Sequence, residues 1–302
     1  MSAPDILVVG SANMDLVAFA DRLPAPGETL LGGAFQSFAG GKGGNQAVAA
    51  ARAGGKVAFL GRIGNDIFGA RLRSGLEENG VDTQLLGTVE GASGVAIIMS
   101  GGGNNMIVVA PGANATVTAK TIDKSVFAGI RFVLAQLETP LDGVIEAARL
   151  ARAQGAIFIL DPAPARALPS DLLAMVDWLT PNESEACGLL GLKVLGEPAM
   201  MAQQLKALGP RGVVLKLGGQ GVVLLGDDDV PIVIPAHKVT VADTTAAGDA
   251  FNGAFVVALS EGRTPQQAAR FAVAASGISV TRQGAQPAMA SRREIDALMT
   301  RS

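Results

Sequence analysis

Residues 241–255 read Val241, Ala242, Asp243, Thr244, Thr245, Ala246, Ala247, Gly248, Asp249, Ala250, Phe251, Asn252, Gly253, Ala254, Phe255. A short β-branched run is joined to a helix through small residues. Ala246, Ala247 and Gly248 leave the backbone N–H groups of the turn uncovered, and the positive end of the helix faces whatever binds there, which favours an anion. Yet the first side chain of that helix is an acid, Asp249. Held ionised by the helix dipole beside a bound phosphate and a hydroxyl substrate, it can accept the hydroxyl proton. Two readings stand side by side: phosphoryl transfer with Asp249 as base, or an acid that only complements the dipole.

Working outward, the chain before this stretch alternates strands and helices: strand 131–137, helix 141–154, strands 156–160 and 176–179, helices 183–190 and 197–208, and strands 213–217, 222–225 and 230–234. After it, helices begin near Thr264 and Ser291. The pattern predicts an α/β fold, a three-layer, doubly wound, mostly parallel sheet. Ligands bind such sheets beyond the carboxyl ends of the strands. Polar residues stand at those ends: Glu138, Asp161, and Asn182 with Glu183 and Glu185.

Toward the amino end, Ile6–Val9 is a fully apolar run ending at Gly10, the pattern of a buried parallel strand. Ser11, Asn13 and Asp15 follow. Asn13 and Asp15 stand two apart, so an extended continuation puts both on one side, where they can fork onto sugar hydroxyls or simply form a polar turn. Met14 between them packs near a ligand or turns into the core. From 17 to 38 the pattern is broken by Pro24, Pro26, Gly27, Gly32 and Gly33 and predicts short strands, a flap off the main sheet.

Gly40, Gly41, Lys42, Gly43, Gly44 and Asn45 then lead into an alanine-rich helix over 46–53, with glycine where backbone approaches a ligand closely. It is not a Walker loop, because no GxxxxGK[ST] is present and Lys42 lies inside the glycine cluster. Asn45 reads equally as the N-cap and as a sugar contact. A strand over 56–60, a helix over 68–79 stopped by Gly80, and a hairpin of strands 95–100 and 106–110 complete this half. Flap and hairpin together predict a small β lid, 13–38 and 91–112, on an α/β core of 1–12, 39–90 and 113–302.

The 302 residues are 49% hydrophobic and 17% charged, with a net charge of −3. That balance describes a globular protein with no basic footprint for nucleic acid or membrane, so small-molecule partners are expected. One cysteine, Cys187, excludes an internal disulfide framework, and one histidine, His237, excludes a His-rich metal site. Cys187 reads as a small buried residue and His237 as incidental, in a polar segment between two strands. The amino-terminal residues lack the basic start and long apolar core of a signal peptide, and a cytoplasmic protein is expected. No apolar run reaches membrane-spanning length.

Four features together resemble the ribokinase family of sugar kinases: Gly10, Ser11, Asn13 and Asp15; Gly40, Gly41, Lys42, Gly43 and Asn45; Thr180, Pro181, Asn182, Glu183 and Glu185; and residues 243–252. They occur in the family's order from about residue 6 to residue 299. Gln136, Leu137 and Glu138, with segments 162–166 and 280–287, are similar to the pattern of its ribose-phosphorylating members. The resemblance implies transfer of the ATP γ-phosphate to the 5-hydroxyl of ribose, with Asp249 as base and the backbone of Ala246, Ala247 and Gly248 as anion hole. It implies sugar contacts at Asn13, Asp15, Gly41, Lys42, Asn45, Glu138 and Asp249. Asn182 and Glu185 would lie near the phosphates, Glu185 acting on Mg2+ through water, and the nucleotide would run along Lys216, Gly218, Gly219, Gly221, Gly248 and Val273. A potassium ion beside the anion hole is implied at Asp243, Thr245, Ser279, Arg282, Gly284 and Ala288. A homodimer paired through the lid is implied as well.

Three other readings compete. A kinase of another furanose or of a nucleoside (deoxyribose, fructose, pseudouridine, adenosine) keeps the same motifs, although a chain with no tyrosine and one tryptophan is poorly furnished to stack a base. A sugar-binding module without chemistry is opposed by the presence of Asp249, Gly248, Asn182 and Glu185. A nicotinamide dehydrogenase is opposed by the absence of GxGxxG after the first strand.

Overall fold

The computed structural model describes residues 4–300, so the core segments expected at 1–3 and 301–302 lie outside the described residues. In chain order the elements are β1 (Ile6–Val9), β2 (Asn13–Ala20), β3 (Phe35–Gly40), α1 (Lys42–Arg52), β4 (Val57–Gly64), α2 (Ile67–Glu78), β5 (Leu86–Val89), β6 (Gly94–Gly101) and β7 (Asn104–Ala110). Three 3-10 turns follow, and then β8 (Phe132–Ala135), α3 (Leu141–Ala153), β9 (Ile157–Leu160), α4 (Ser170–Leu173), β10 (Trp178–Leu179), α5 (Glu183–Leu190) and α6 (Pro198–Ala207). The chain ends with β11 (Gly212–Lys216), β12 (Val222–Leu225), β13 (Ile232–Ile234), α7 (Ala247–Ser260), α8 (Pro265–Ser279) and α9 (Arg292–Met299).

Nine strands form one sheet in the order β13-β12-β11-β10-β9-β8-β1-β4-β5. From β11 to β5 the pairs are parallel, and β12 alone runs against the others, pairing antiparallel with both β11 and β13. Alternation sends Ile6 and Val8 of β1 into one core and Leu7 and Val9 into the other. The first core is closed by α1, α2, α7, α8 and α9, the second by α3, α4, α5 and α6. This is the doubly wound three-layer fold that the alternation predicts. No helix among the described residues is long and apolar enough to cross a membrane.

The second sheet has four strands, β3-β2-β6-β7. It joins the first at the place where the site residues start: β1 passes through Gly10, Ser11 and Ala12 into β2, and β3 returns through Gly41, at φ 82°, into α1. Gly102 and Gly103, both at positive φ, make the two-residue turn between β6 and β7, as hairpin chemistry requires.

Several expectations are corrected. Helix α1 begins at Lys42, not at 46, because the glycines pack as its first turn against the exit of β1. A Cβ on Gly43 would lie 2.6 Å from Ser11 N, and Gly44 N–H donates to Ser11 O at 2.8 Å. Asn45 is therefore a residue inside the helix rather than its cap, which is Gly41. Within the flap, only 13–20 and 35–40 are strands, and 21–34 is irregular. Strand β5 has no strand pattern in the sequence, because Leu86, Gly87, Thr88 and Val89 carry too little apolar signal. Strand β8 ends at Ala135, which frees Gln136 to turn inward.

Helix α7 lies against α1 with almost nothing between the backbones. A Cβ on Gly253 would lie 2.6 Å from Ala49 Cβ and 2.7 Å from Ala50 N. Gly253→Ala is expected to lower the thermal unfolding midpoint by about 5 °C through overpacking. An unchanged midpoint in a melting curve would show that the two helices have slack.

Candidate active site

The amino end of α7 turns through Ala246, held at φ 57° in the left-handed region, and no side chain caps it. A non-glycine residue there is strained, and such strain gathers at sites. The N–H of Ala247 donates to Thr244 O at 3.3 Å and that of Ala250 to Ala246 O at 2.9 Å, so Gly248 and Asp249 offer the freer donors. This end faces a cavity of about 1000 Å³, whose walls include Lys42, Asp161, Asn182, Glu185, Lys216, the 218–221 turn, His237, Asp249, Val273 and Gly277.

Asp249 is buried at this end, and its carboxylate is bonded away from its own helix. Oδ2 accepts from Asn45 Nδ2 at 3.0 Å and Oδ1 from Gln46 Nε2 at 2.9 Å. Both donors come from α1, so Asp249 does not act as a side-chain cap. Nor does the helix dipole alone decide its charge: burial, with the neighbouring Asp161 adding to it, pushes Asp249 up to about 6, against Lys42 and the two amides. A carboxylate poised there is ionised at neutral pH and still able to take a proton.

Behind Asp249, Gln46 Nε2 also donates to Asp161 Oδ2 at 2.8 Å, and Gln136 Nε2 donates to Gln46 Oε1 at 2.6 Å. Lys216 Nζ pairs with Asp161 Oδ1 at 3.1 Å. Of these, Gln46 and Gln136 were not foreseen as site residues. Their sequence signal is faint, a lone amide ahead of the apolar run from Ala47 to Ala50 and another at the end of a strand.

The residues expected on the sugar converge on the other side of Asp249. Glu138 accepts from Ser11 Oγ and from the Lys42 backbone N–H at 3.0 Å. Asn13 Oδ1 accepts from Asn114 Nδ2 at 2.7 Å, and Asn114 also bonds the backbone of Ala12. Asn114, equally unforeseen, thus holds the start of β2. Asp15 stands against Gly40, where a Cβ would meet its Oδ2 at 2.2 Å, while Met14 turns into the core. Burial, Glu138 and Asp249 together push Asp15 up to about 7. Burial alone would lower Lys42, but Asp249, Asp161, Glu138 and Glu185 outweigh it and hold the ammonium charged. The buried Oδ1 of Asn45 has no hydrogen-bond partner.

Of the residues expected at the nucleotide, Asn182 and Glu185 form a capping box on α5, and Asn182 pairs by a β-bridge with Lys216 beside it. Burial, then the charge of Asp161, raise Glu185 above the ordinary carboxylate range. Lys216 Nζ would lie 3.3 Å from a Cβ on Gly248, so the ammonium stands over the anion-binding turn. Gly218 and Gly221 hold positive φ, and a Cβ on Gly221 would meet Ile234 O at 2.0 Å. His237 is not between strands: it follows β13 and lines the cavity with Val273 and Gly277.

Of the six residues expected at a monovalent cation, Asp243, Thr245 and Gly284 meet: Asp243 accepts from Thr245 N–H and Oγ and from Gly284 N–H at 2.9 Å. Burial opposes its ionisation, but these bonds hold it below its ordinary range. The turn after α8 is tied to it, since Ala242 and Asp243 N–H both donate to Val280 O. Ser279 spends its hydroxyl on Ser276 O, Arg282 its guanidinium on Glu294, and Ala288 is buried without a polar side chain. Arg282 and Ala288 can reach an ion only through backbone carbonyls, whereas the Ser279 hydroxyl, donating to Ser276, keeps its oxygen lone pairs. Among the described residues no three His, Cys, Asp or Glu side chains form a ready-made metal cluster.

A buried acid beside an uncapped helix start, two ammonium groups and a nucleotide-sized cavity define a phosphotransferase site. The chain belongs to the pfkB family of carbohydrate kinases, whose pattern matches residues 3–292. A ribokinase of Haemophilus influenzae is 41% identical over 96% of both chains, and one of Bacillus subtilis is 40% identical over 98% of this chain and 99% of the relative. The structure of Arabidopsis thaliana ribokinase complexed with ribose and ATP superposes with a TM-score of 0.93, at 33% identity over 100% of both chains.

A base at Asp249 works only without its proton, so with Asp249 near 6 that role predicts a fall in kcat/KM of about tenfold per unit as pH drops below 6. Lys42→Met removes the cation that opposes burial, and its residual activity is expected to lose its acid limb at higher pH. A limb left near 4 in the parent would contradict the burial argument.

Proposed function

We propose that this protein transfers the γ-phosphoryl group of ATP to the 5-hydroxyl of D-ribose, giving ribose 5-phosphate. The observation that carries the reading is the Asp249 carboxylate, fixed by two α1 amides beside the anion-binding start of α7. In this reading Asp249 takes the hydroxyl proton while the backbone of Ala246, Ala247 and Gly248 receives the charge that builds on the moving phosphoryl group. Asn13, Asp15, Gly41, Lys42, Asn45 and Glu138 hold the sugar. The unpartnered Asn45 Oδ1 is suited to accept from a sugar hydroxyl, because a buried acceptor left unmet costs about 1–3 kcal/mol.

The nucleotide lies along Asn182, Lys216, Gly218, Gly219, Gly221 and Val273. Five carboxylates (Asp15, Glu138, Asp161, Glu185, Asp249) face two ammonium groups (Lys42, Lys216) around the site, a balance that does not favour a bare polyphosphate. Magnesium, when bound, supplies neutralisation of phosphate charge, and the hard carboxylate oxygen of Glu185 suits it. Asp243 and the carbonyls of the 279–288 turn likewise offer an oxygen set suited to potassium.

The small sheet with its connections, 13–38 and 91–112, acts as a lid on the α/β core. It exposes Phe35, Ile97, Met106 and Val108 on one face and Ile107 and Val109 on the other, more apolar surface than a lone lid needs, and a homodimer paired through the sheet would cover part of it. A cytoplasmic setting fits the single free thiol at Cys187.

ADP release tests the reading against ribose, 2-deoxyribose, fructose and adenosine, each with and without potassium. Turnover on ribose well above the others, raised by potassium, is expected. Asp249→Asn is expected to lose about 10²–10⁴-fold in kcat while ribose and ATP still bind. Efficient turnover of another sugar in preference to ribose, or near-normal turnover of Asp249→Asn, would overturn the corresponding part.

A further inference from the structure

Gln46 is wholly buried, and every polar atom of its amide is in use. Its one side-chain nitrogen gives one hydrogen to Asp249 and the other to Asp161, while Gln136 holds the oxygen. The two carboxylates fix which end of the amide faces them, since an oxygen there would be repelled by both. Gln136 is positioned in turn by Gly10: a Cβ on Gly10 would lie 2.1 Å from Gln136 Oε1. The result is one rigid chain from the end of β8, through α1, to the acid at the start of α7 and the acid at the end of β9.

We propose that Gln46 is a positioning residue for phosphoryl transfer, its single amide nitrogen fixing the orientation of the Asp249 carboxylate and tying it to the Asp161–Lys216 pair. The proposal rests on the reading of Asp249 as base. With Asn45 on the other oxygen, Gln46 leaves the carboxylate no freedom to rotate, so the lone pairs not taken by the two amides keep a fixed direction. The same nitrogen screens Asp249 from Asp161, and Lys216 neutralises Asp161 from its far side while standing over Gly248. The anion-binding turn and the base are thereby joined through three side chains. The other charged groups around Asp249 are Lys42 of α1, Asp15 of β2 and Glu138 beyond β8, and none of them donates a hydrogen bond to it.

Gln46→Met keeps the length and removes both donors. It is expected to lower kcat on ribose about 10²-fold, with KM for ribose and for ATP within about threefold of the parent. The acid limb of kcat/KM is expected to move up by about one pH unit, because a bond to the ionised form is lost and Asp161 is no longer screened. Asp161→Asn is expected to move the limb the opposite way. A merely structural role would lower stability and leave the limb where it was. If Gln46→Met shows kcat within about threefold of the parent and an unmoved limb, or if Asp161→Asn moves the limb upward, the proposal is overturned. Should Gln46→Met lose its cooperative melting transition, Gln136→Met, which only loosens the clamp on Gln46, is expected to shift the limb upward by a smaller amount, and no shift overturns the proposal. Asp249→Asn is measured alongside. If that variant stays active the base assignment fails, whereas an inactive Asp249→Asn beside a normal Gln46→Met removes only the role of Gln46.

Discussion

The site depends on how closely α1 and α7 approach. Gly253 of α7 rests on Ala49 and Ala50 of α1 with no room for a methyl group, and alanines line the facing side. That contact carries Asn45 and Gln46, in the first turns of α1, to hydrogen-bonding distance of Asp249, in the first turn of α7. Larger residues in the seam would separate donor and acceptor by more than a hydrogen bond tolerates. Small residues here set the geometry of the Asp249 carboxylate as much as they fill the core.

The same approach explains the electrostatics. Burying a carboxylate is costly unless hydrogen bonds and opposite charges compensate it, and at Asp249 they do so only in part. Two amides and Lys42 favour its ionised form, while burial and Asp161 oppose it, and the balance falls at about 6. Lys42 illustrates the converse case, in which four carboxylates overcome the burial of an ammonium group. Low dielectric makes each of these contacts matter more than it would at the surface.

Much of this was legible from sequence. Ile6–Val9 announces a buried parallel strand because every residue is apolar, and residues 243–249 announce an anion turn because small residues meet a helix beside an acid. What was not legible depended on neighbours distant in the chain. The glycines from 40 to 44 read as a loop, yet Gly43 and Gly44 form a helical turn because the exit of β1 leaves space for no side chain. Asn45 reads as a cap for the same reason, and its partner is 204 positions away. Gln46, Gln136 and Asn114 are uncharged and follow no spacing, so only their burial and bonds reveal them. The charge balance at Asp249 is only half legible, because local dipoles can be read from sequence and desolvation cannot.

The most direct test of this account is an NMR titration of the protein carrying ¹³C-labelled aspartate carboxyl groups, read with and without Asp249→Asn. One aspartate resonance should titrate near 6 and vanish in the variant. If the resonance that vanishes instead titrates near 4, in the range of an exposed aspartate, then the α1–α7 contact does not bury the base and the account fails at its centre.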